Sequence, residues 1–113
     1  MPPKRNPLNL NPLQLKTLTL LQALALLPDA GSGEEDGSVL LKSLPDPHGD
    51  HFHLGDAVVA ARDATGLRNP SVWRALERKG LIRPKLPEAV ILTLLGQQYD
   101  TGIRDAILHR TSH

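Results

Sequence analysis

The sequence predicts an α+β domain: an N-terminal helix, a small antiparallel hairpin before a second helix, a third helix, a two-stranded ribbon and a C-terminal helix. Three observations carry that expectation. Asn-Pro stands twice where a helix begins, at Asn11-Pro12 and Asn69-Pro70. The asparagine side chain accepts an orphan amide, and proline lacks the N–H that a first turn leaves unpaired. Gly66 and Gly80 bracket a short helical stretch, and the apolar runs Leu81-Ile82-Arg83 and Val90-Ile91-Leu92-Thr93-Leu94 follow it as paired strands.

In chain order, residues 1–11, with prolines at 2, 3 and 7, read as an extended arm. A helix runs from Pro12 to about Leu27 and is ended by Pro28. At 100° per residue, Leu13, Leu20, Leu24 and Leu27 form one stripe, with Leu15, Leu18 and Leu26 on the opposite side. A helix apolar on both sides is buried on both, and Leu15, Leu18 and Leu26 are therefore candidates for a homodimer seam. The domain occupies 12–113, with residues 28–38 as a flexible, acidic, glycine-rich loop. Val39 to Leu44 is a strand, Pro45 to Asp50 is turn chemistry, and His51-Phe52-His53-Leu54 alternates as a half-buried second strand. Gly55-Asp56 places an acidic cap before a second helix beginning at Ala57, which ends near Gly66 as a left-handed cap. The third helix starts at Asn69-Pro70 and stops at Gly80. A last helix, Gln97 to Arg110, spaces Tyr99, Ile103 and Ile107 by four and pairs Asp100 with Arg104.

Composition narrows the function. Hydrophobic residues are 40% and charged residues 22% of the 113, which fits a globular rather than a disordered chain. Cysteine is absent, excluding disulfides and thiolate metal sites and agreeing with a reducing compartment. The longest apolar run, around Leu18 to Leu27, is broken by Thr19 and Gln22, and the Met1-to-Pro7 segment lacks a signal sequence. A cytoplasmic protein without a membrane partner is expected. No cysteine nucleophile, glycine-rich phosphate loop or serine nucleophile turn is present, so neither an enzyme nor a cofactor is expected. Residues 1–56 hold four Lys/Arg against seven Asp/Glu, net −3, and residues 57–113 hold nine against five, net +4, giving the overall +1. The positive charge thus falls on the half that carries the two bracketing glycines.

Ala60 to Ile82, with its small-residue second helix, Thr65-Gly66-Leu67 turn, Ser71-Val72 start and closing Leu76-Glu77-Arg78-Lys79-Gly80-Leu81-Ile82, resembles the winged-helix transcription-regulator superfamily. Leu92-Thr93-Leu94-Leu95-Gly96 after a short wing completes the match, which spans about residues 57–96. The resemblance implies a winged helix-turn-helix fold and a transcriptional regulator that binds double-stranded DNA as a homodimer. The stretch from the turn to Gly80 is about one helical turn shorter than is usual in that family. With Val72 and Leu76 inward, Ser71, Arg74 and Arg78 share the outer side of the third helix, and Arg68, Arg83 and Lys85 extend a basic surface. Trp73 lies about 100° from the core stripe, at the seam between helix and wing.

Two other readings stay open. The near-neutral total charge, the short third helix and the surplus leucine face suit a winged-helix module that contacts another protein without DNA. His48, His51 and His53, with Asp46 and Asp50, are five potential metal ligands within eight residues, the raw material of a metal-responsive regulator. Their placement on a turn and one strand face does not itself form a closed site, and no bound metal is expected.

Overall fold

The computed structural model describes residues 6–27, 31–34, 36–42, 44, 49–85 and 89–110. Among them it is an α+β domain of five helices and two small antiparallel sheets.

Helix α1, Pro12–Ala25, starts where local chemistry dictates. Asn11 accepts from the Gln14 backbone N–H at 2.8 Å, and the Gln14 side chain accepts from Asn11 N–H at 3.0 Å. This reciprocal cap satisfies two amides the first turn leaves over. Leu18, Leu20 and Leu21 are wholly buried. Thr17 and Thr19, equally buried, return their hydroxyls to the Leu13 and Leu15 carbonyls, and Thr19 also meets the Thr101 hydroxyl at 2.6 Å. Buried hydroxyls are tolerated because each has a partner.

Strands β1 (Gly31–Gly33) and β2 (Val39–Leu41) pair with one another, so part of the stretch expected as loop is a hairpin. Residues 28–30 and 35 of that expected loop lie outside the described residues. The partner expected for β2 was the 51–54 strand. Instead β2 docks on β6 (Ala89–Leu92), which pairs with β5 (Ile82–Lys85), giving the order β1-β2-β6-β5. Ile82, Leu92, Val90 and Leu41 share the buried face of this sheet, while Arg83, Ile91 and Leu40 share the other.

The second helix expected from residue 57 is replaced by two elements. Strand β4, Ala57–Ala60, pairs with β3, His51–Leu54, through the two-residue loop Gly55-Asp56. Gly55 has φ +64°, the geometry that tight hairpins demand, so Gly55-Asp56 is a turn and not a helix cap. A 3₁₀ helix, Ala61–Arg68, follows and packs against α1. Gly66 is not left-handed within it. Its backbone lies against Thr17 of α1, and it is needed there for its lack of a side chain.

Helix α2, Pro70–Arg78, agrees with the sequence at both ends. The Asn69 side chain accepts from Ser71 N–H and from the Ser71 hydroxyl, both at 3.0 Å. At the far end Gly80, φ +78°, donates to Glu77 O and Leu81 donates to Leu76 O, a left-handed closure that satisfies two terminal carbonyls. Asn69→Ala is expected to cost about 1 kcal/mol, and Asn69→Asp close to nothing, in urea unfolding. Equal losses in the two variants would show that the cap is not what Asn69 supplies.

The C-terminal helix expected over 97–110 is broken. Helix α3, Leu94–Gln98, capped by Thr93, ends where Tyr99 turns extended. Gly102 takes φ +73°, and a single turn, α4 (Arg104–Ile107), precedes β7 (His109–Arg110), which pairs with β4. Asp100 accepts from Gly102 N–H at 3.0 Å, an Asx turn in place of the expected helical pair with Arg104.

The segment expected as an extended arm folds back where it is described. Leu10 is buried, the Tyr99 hydroxyl donates to Asn6 Oδ1 and accepts from Leu8 N–H, and Lys79 Nζ donates to the Leu8 carbonyl. Residues 1–5 lie outside the described residues.

Candidate nucleic-acid interface

Helix α2 divides by face. Val72, Ala75 and Leu76 are buried, and Ser71, Arg74 and Arg78 are exposed on the opposite side. Alternation every three to four residues places them there. Trp73 is half-buried at the flank, and its indole N–H donates to the Leu67 carbonyl at 3.0 Å. Arg68, exposed at the end of the 3₁₀ helix, lines one cavity together with Arg74 and Lys85. Four of the six expected contact residues, Arg68, Ser71, Arg74 and Arg78, thus follow one another along α2 and its approach, and Lys85 shares a cavity with Arg68 and Arg74.

Arg83 is placed differently. It shares the exposed sheet face with Lys85, two residues on, but its guanidinium meets Asp36 Oδ2 at 3.1 Å. Asp36 also accepts from the Ser38 hydroxyl and backbone N–H. Those Ser38 bonds, aided by Arg83, hold the Asp36 carboxyl below the ordinary carboxylate range. Both partners of the ion pair are more than half exposed, so the contact orients Arg83 more than it stabilises the fold. Glu77, exposed on α2 between Trp73 and Arg74 in the helical projection, is a second acid within the basic surface. Glu77 was visible on the helical wheel. Asp36 left no local signal, because its partner is 47 residues away.

The leucines expected at a dimer seam are scattered. Leu18 has no exposed surface and belongs to the chain's own core; Leu15 is half-buried and Leu26 is 72% exposed. The second leucine stripe of α1 is thus covered in large part by the chain itself, with the 3₁₀ helix, α2, α3, β2 and β6 all packed on α1. The exposed large hydrophobics among the described residues are Leu26, Leu94 and Leu95.

His51 and His53 are exposed on β3 with ring centroids 5.4 Å apart, edge to face. His51 Nδ1 is 2.9 Å from Asp50 Oδ1, and that hydrogen bond holds the Asp50 carboxyl below its usual range. Exposed His109 of β7 is on the same sheet face, since His53 and His109 both oppose Val58. His48 and Asp46 lie outside the described residues. Among the described residues no three His, Asp or Glu side chains converge as metal ligands would. No described helix is long and apolar enough to cross a membrane.

No family model, curated protein or solved structure matches this chain.

Proposed function

We propose that the chain is a winged-helix protein that binds double-stranded DNA and regulates transcription, with α2 as the helix that enters the major groove and β5–β6 as the wing. The observation that carries this reading is the exposed Ser71, Arg74, Arg78 stripe, backed by a buried apolar stripe and flanked by Arg68 and Lys85. A rigid helix with arginines on its free side can pair with guanine edges or hold phosphates. The strand pairing supports it as well. Strand β2, which is separated from the two helices by the β3–β4 hairpin, adds to the β5–β6 ribbon that follows them, and β5 packs against α2. The helix before α2 is a 3₁₀ helix, a tighter version of the first member of a helix-turn-helix.

The test is binding to mixed-sequence duplex DNA at two salt concentrations, for the wild type and Arg74→Ala/Arg78→Ala. The wild type binds more weakly as salt rises, and the double variant shows a log–log salt slope shallower by about two, one unit for each phosphate left unneutralised.

A second reading, a winged-helix module that docks on another protein, is favoured by two observations: the Asp36–Arg83 pair and Glu77 interrupt the positive field. Absence of duplex binding at low salt would remove the first reading and leave this one to be tested by capture of a protein partner.

A further inference from the structure

The groove between α2 and the β5–β6 ribbon lies beside the exposed stripe of α2 and shares Arg74 with it. It is a cavity of about 370 Å³, within the roughly 300–1,000 Å³ that small-molecule sites occupy. Its apolar walls are Leu67, Pro70 and Trp73 on one side and Leu44, Pro84 and Ala89 on the other. The Trp73 N–H is already engaged by the Leu67 carbonyl, so the indole has only ring surface left to offer a ligand. Arg68, Arg74 and Lys85 line the same cavity, and Glu77 is the acid among its described lining residues. An apolar hollow with Arg74 and Lys85 at its border selects for a molecule with a hydrocarbon body and a negative end.

We infer that this cavity binds a small apolar monocarboxylate. Its hydrocarbon body lies against Trp73, Pro70 and Pro84, and Arg74 and Lys85 hold its carboxylate. Arginine matches a carboxylate with two parallel hydrogen bonds, and lysine adds a point charge. A bare inorganic anion would leave the apolar walls unused, and a neutral hydrocarbon would leave the cations unused. Arg74 and Lys85 are also proposed DNA contacts, so ligand and duplex compete for them. That competition rests on the function proposed above, whereas occupancy of the cavity does not.

Trp73 is the chain's single tryptophan, so emission excited beyond the tyrosine absorption band reports on this cavity. The full chain without DNA is titrated with 4-phenylbutyrate and, as a neutral match, with 4-phenylbutyramide. The acid produces a saturable change in Trp73 emission, and the amide binds at least several-fold more weakly. Arg74→Ala and Lys85→Ala each weaken the acid by about two- to five-fold, and Glu77→Gln tightens it. All three side chains are exposed, so the variants keep the wild-type circular dichroism. No saturable change at millimolar acid, or equal affinity for acid and amide, overturns the proposal. A second arm repeats the duplex titration with the acid present. Weaker DNA binding supports the competition; a Trp73 response in a protein that binds no DNA removes the DNA reading and leaves the ligand site standing.

Discussion

Gly96→Ala is expected to lower the melting temperature by roughly 15 °C, the equivalent of about 3 kcal/mol for a domain of this size. In an open helix the same change gains as much as ~1 kcal/mol, because alanine is the better helix former. At Gly96 packing decides the sign the other way. A Cβ there stands 2.2 Å from the Leu81 carbonyl oxygen and 2.7 Å from Leu92 Cδ1. The carbonyl cannot step aside: it accepts from Thr93 N–H at 3.1 Å and from the Thr93 hydroxyl at 3.0 Å, the contacts that seat α3 on the start of β5. A loss of that size is a large part of the 5–15 kcal/mol that typical domains possess. Gly33→Ala is the matched control, since a Cβ there meets nothing within 4 Å. Melting curves for the two variants that differ by less than a few degrees would refute the close approach.

The second large effect is a coupling. A Cβ at Gly66 falls 1.9 Å from Thr17 Oγ1, and that hydroxyl is fixed by the Leu13 carbonyl at 2.8 Å. Gly66→Ala alone is expected to cost about 2–3 kcal/mol by overpacking. Thr17→Ala alone is expected to cost about 1 kcal/mol, because it removes a hydrogen bond and a methyl group. Combined, they cost less than their sum by at least ~1 kcal/mol, because the smaller residue on α1 admits the larger one on the 3₁₀ helix. Relief is partial, since the Thr17 Cβ itself lies at 3.2 Å. Thr17→Ser, which keeps the oxygen, gives no such relief. Additive losses in a urea double-mutant cycle would mean that Gly66 does not carry the α1 contact.

What could be read in advance follows the range of the interactions. Both Asn-Pro starts and the closure at Gly80 were readable because a cap is made by residues two to five positions apart. The ribbon was readable for the same reason. Residues 57–60 were misread because Gly55-Asp56 fits two local chemistries, an acidic helix cap and a two-residue hairpin loop. Val59 decides it, since it is wholly buried as a strand residue opposite Phe52. The pairing of β2 with β6 joins positions about 50 residues apart, and no local pattern in 39–41 names that partner. The helical wheel of α1 exposed two apolar faces correctly, but a wheel is silent on whose atoms cover them. For Leu18 they are the chain's own. The long C-terminal helix fails where Tyr99 turns extended, and the break continues through a buried Thr101 tied to Thr19, 82 residues away, and a positive φ at Gly102. Of the candidate site, the α2 stripe was legible from spacing. The Asp36 clasp on Arg83 and the walls of the cavity needed the tertiary fold.

The borders of the four-stranded sheet have a consequence for the behaviour of many copies together. One border is β1, three residues of Gly-Ser-Gly; the other is β5, where Pro84 lacks an amide hydrogen and Arg83 and Lys85 flank it. Short length, a missing donor and like charges each discourage a foreign strand from annealing there. In concentrated solution such molecules resist zipping together along the borders of this sheet. At this sheet, self-association is thereby turned from backbone pairing toward side-chain patches such as Leu26, Leu94 and Leu95.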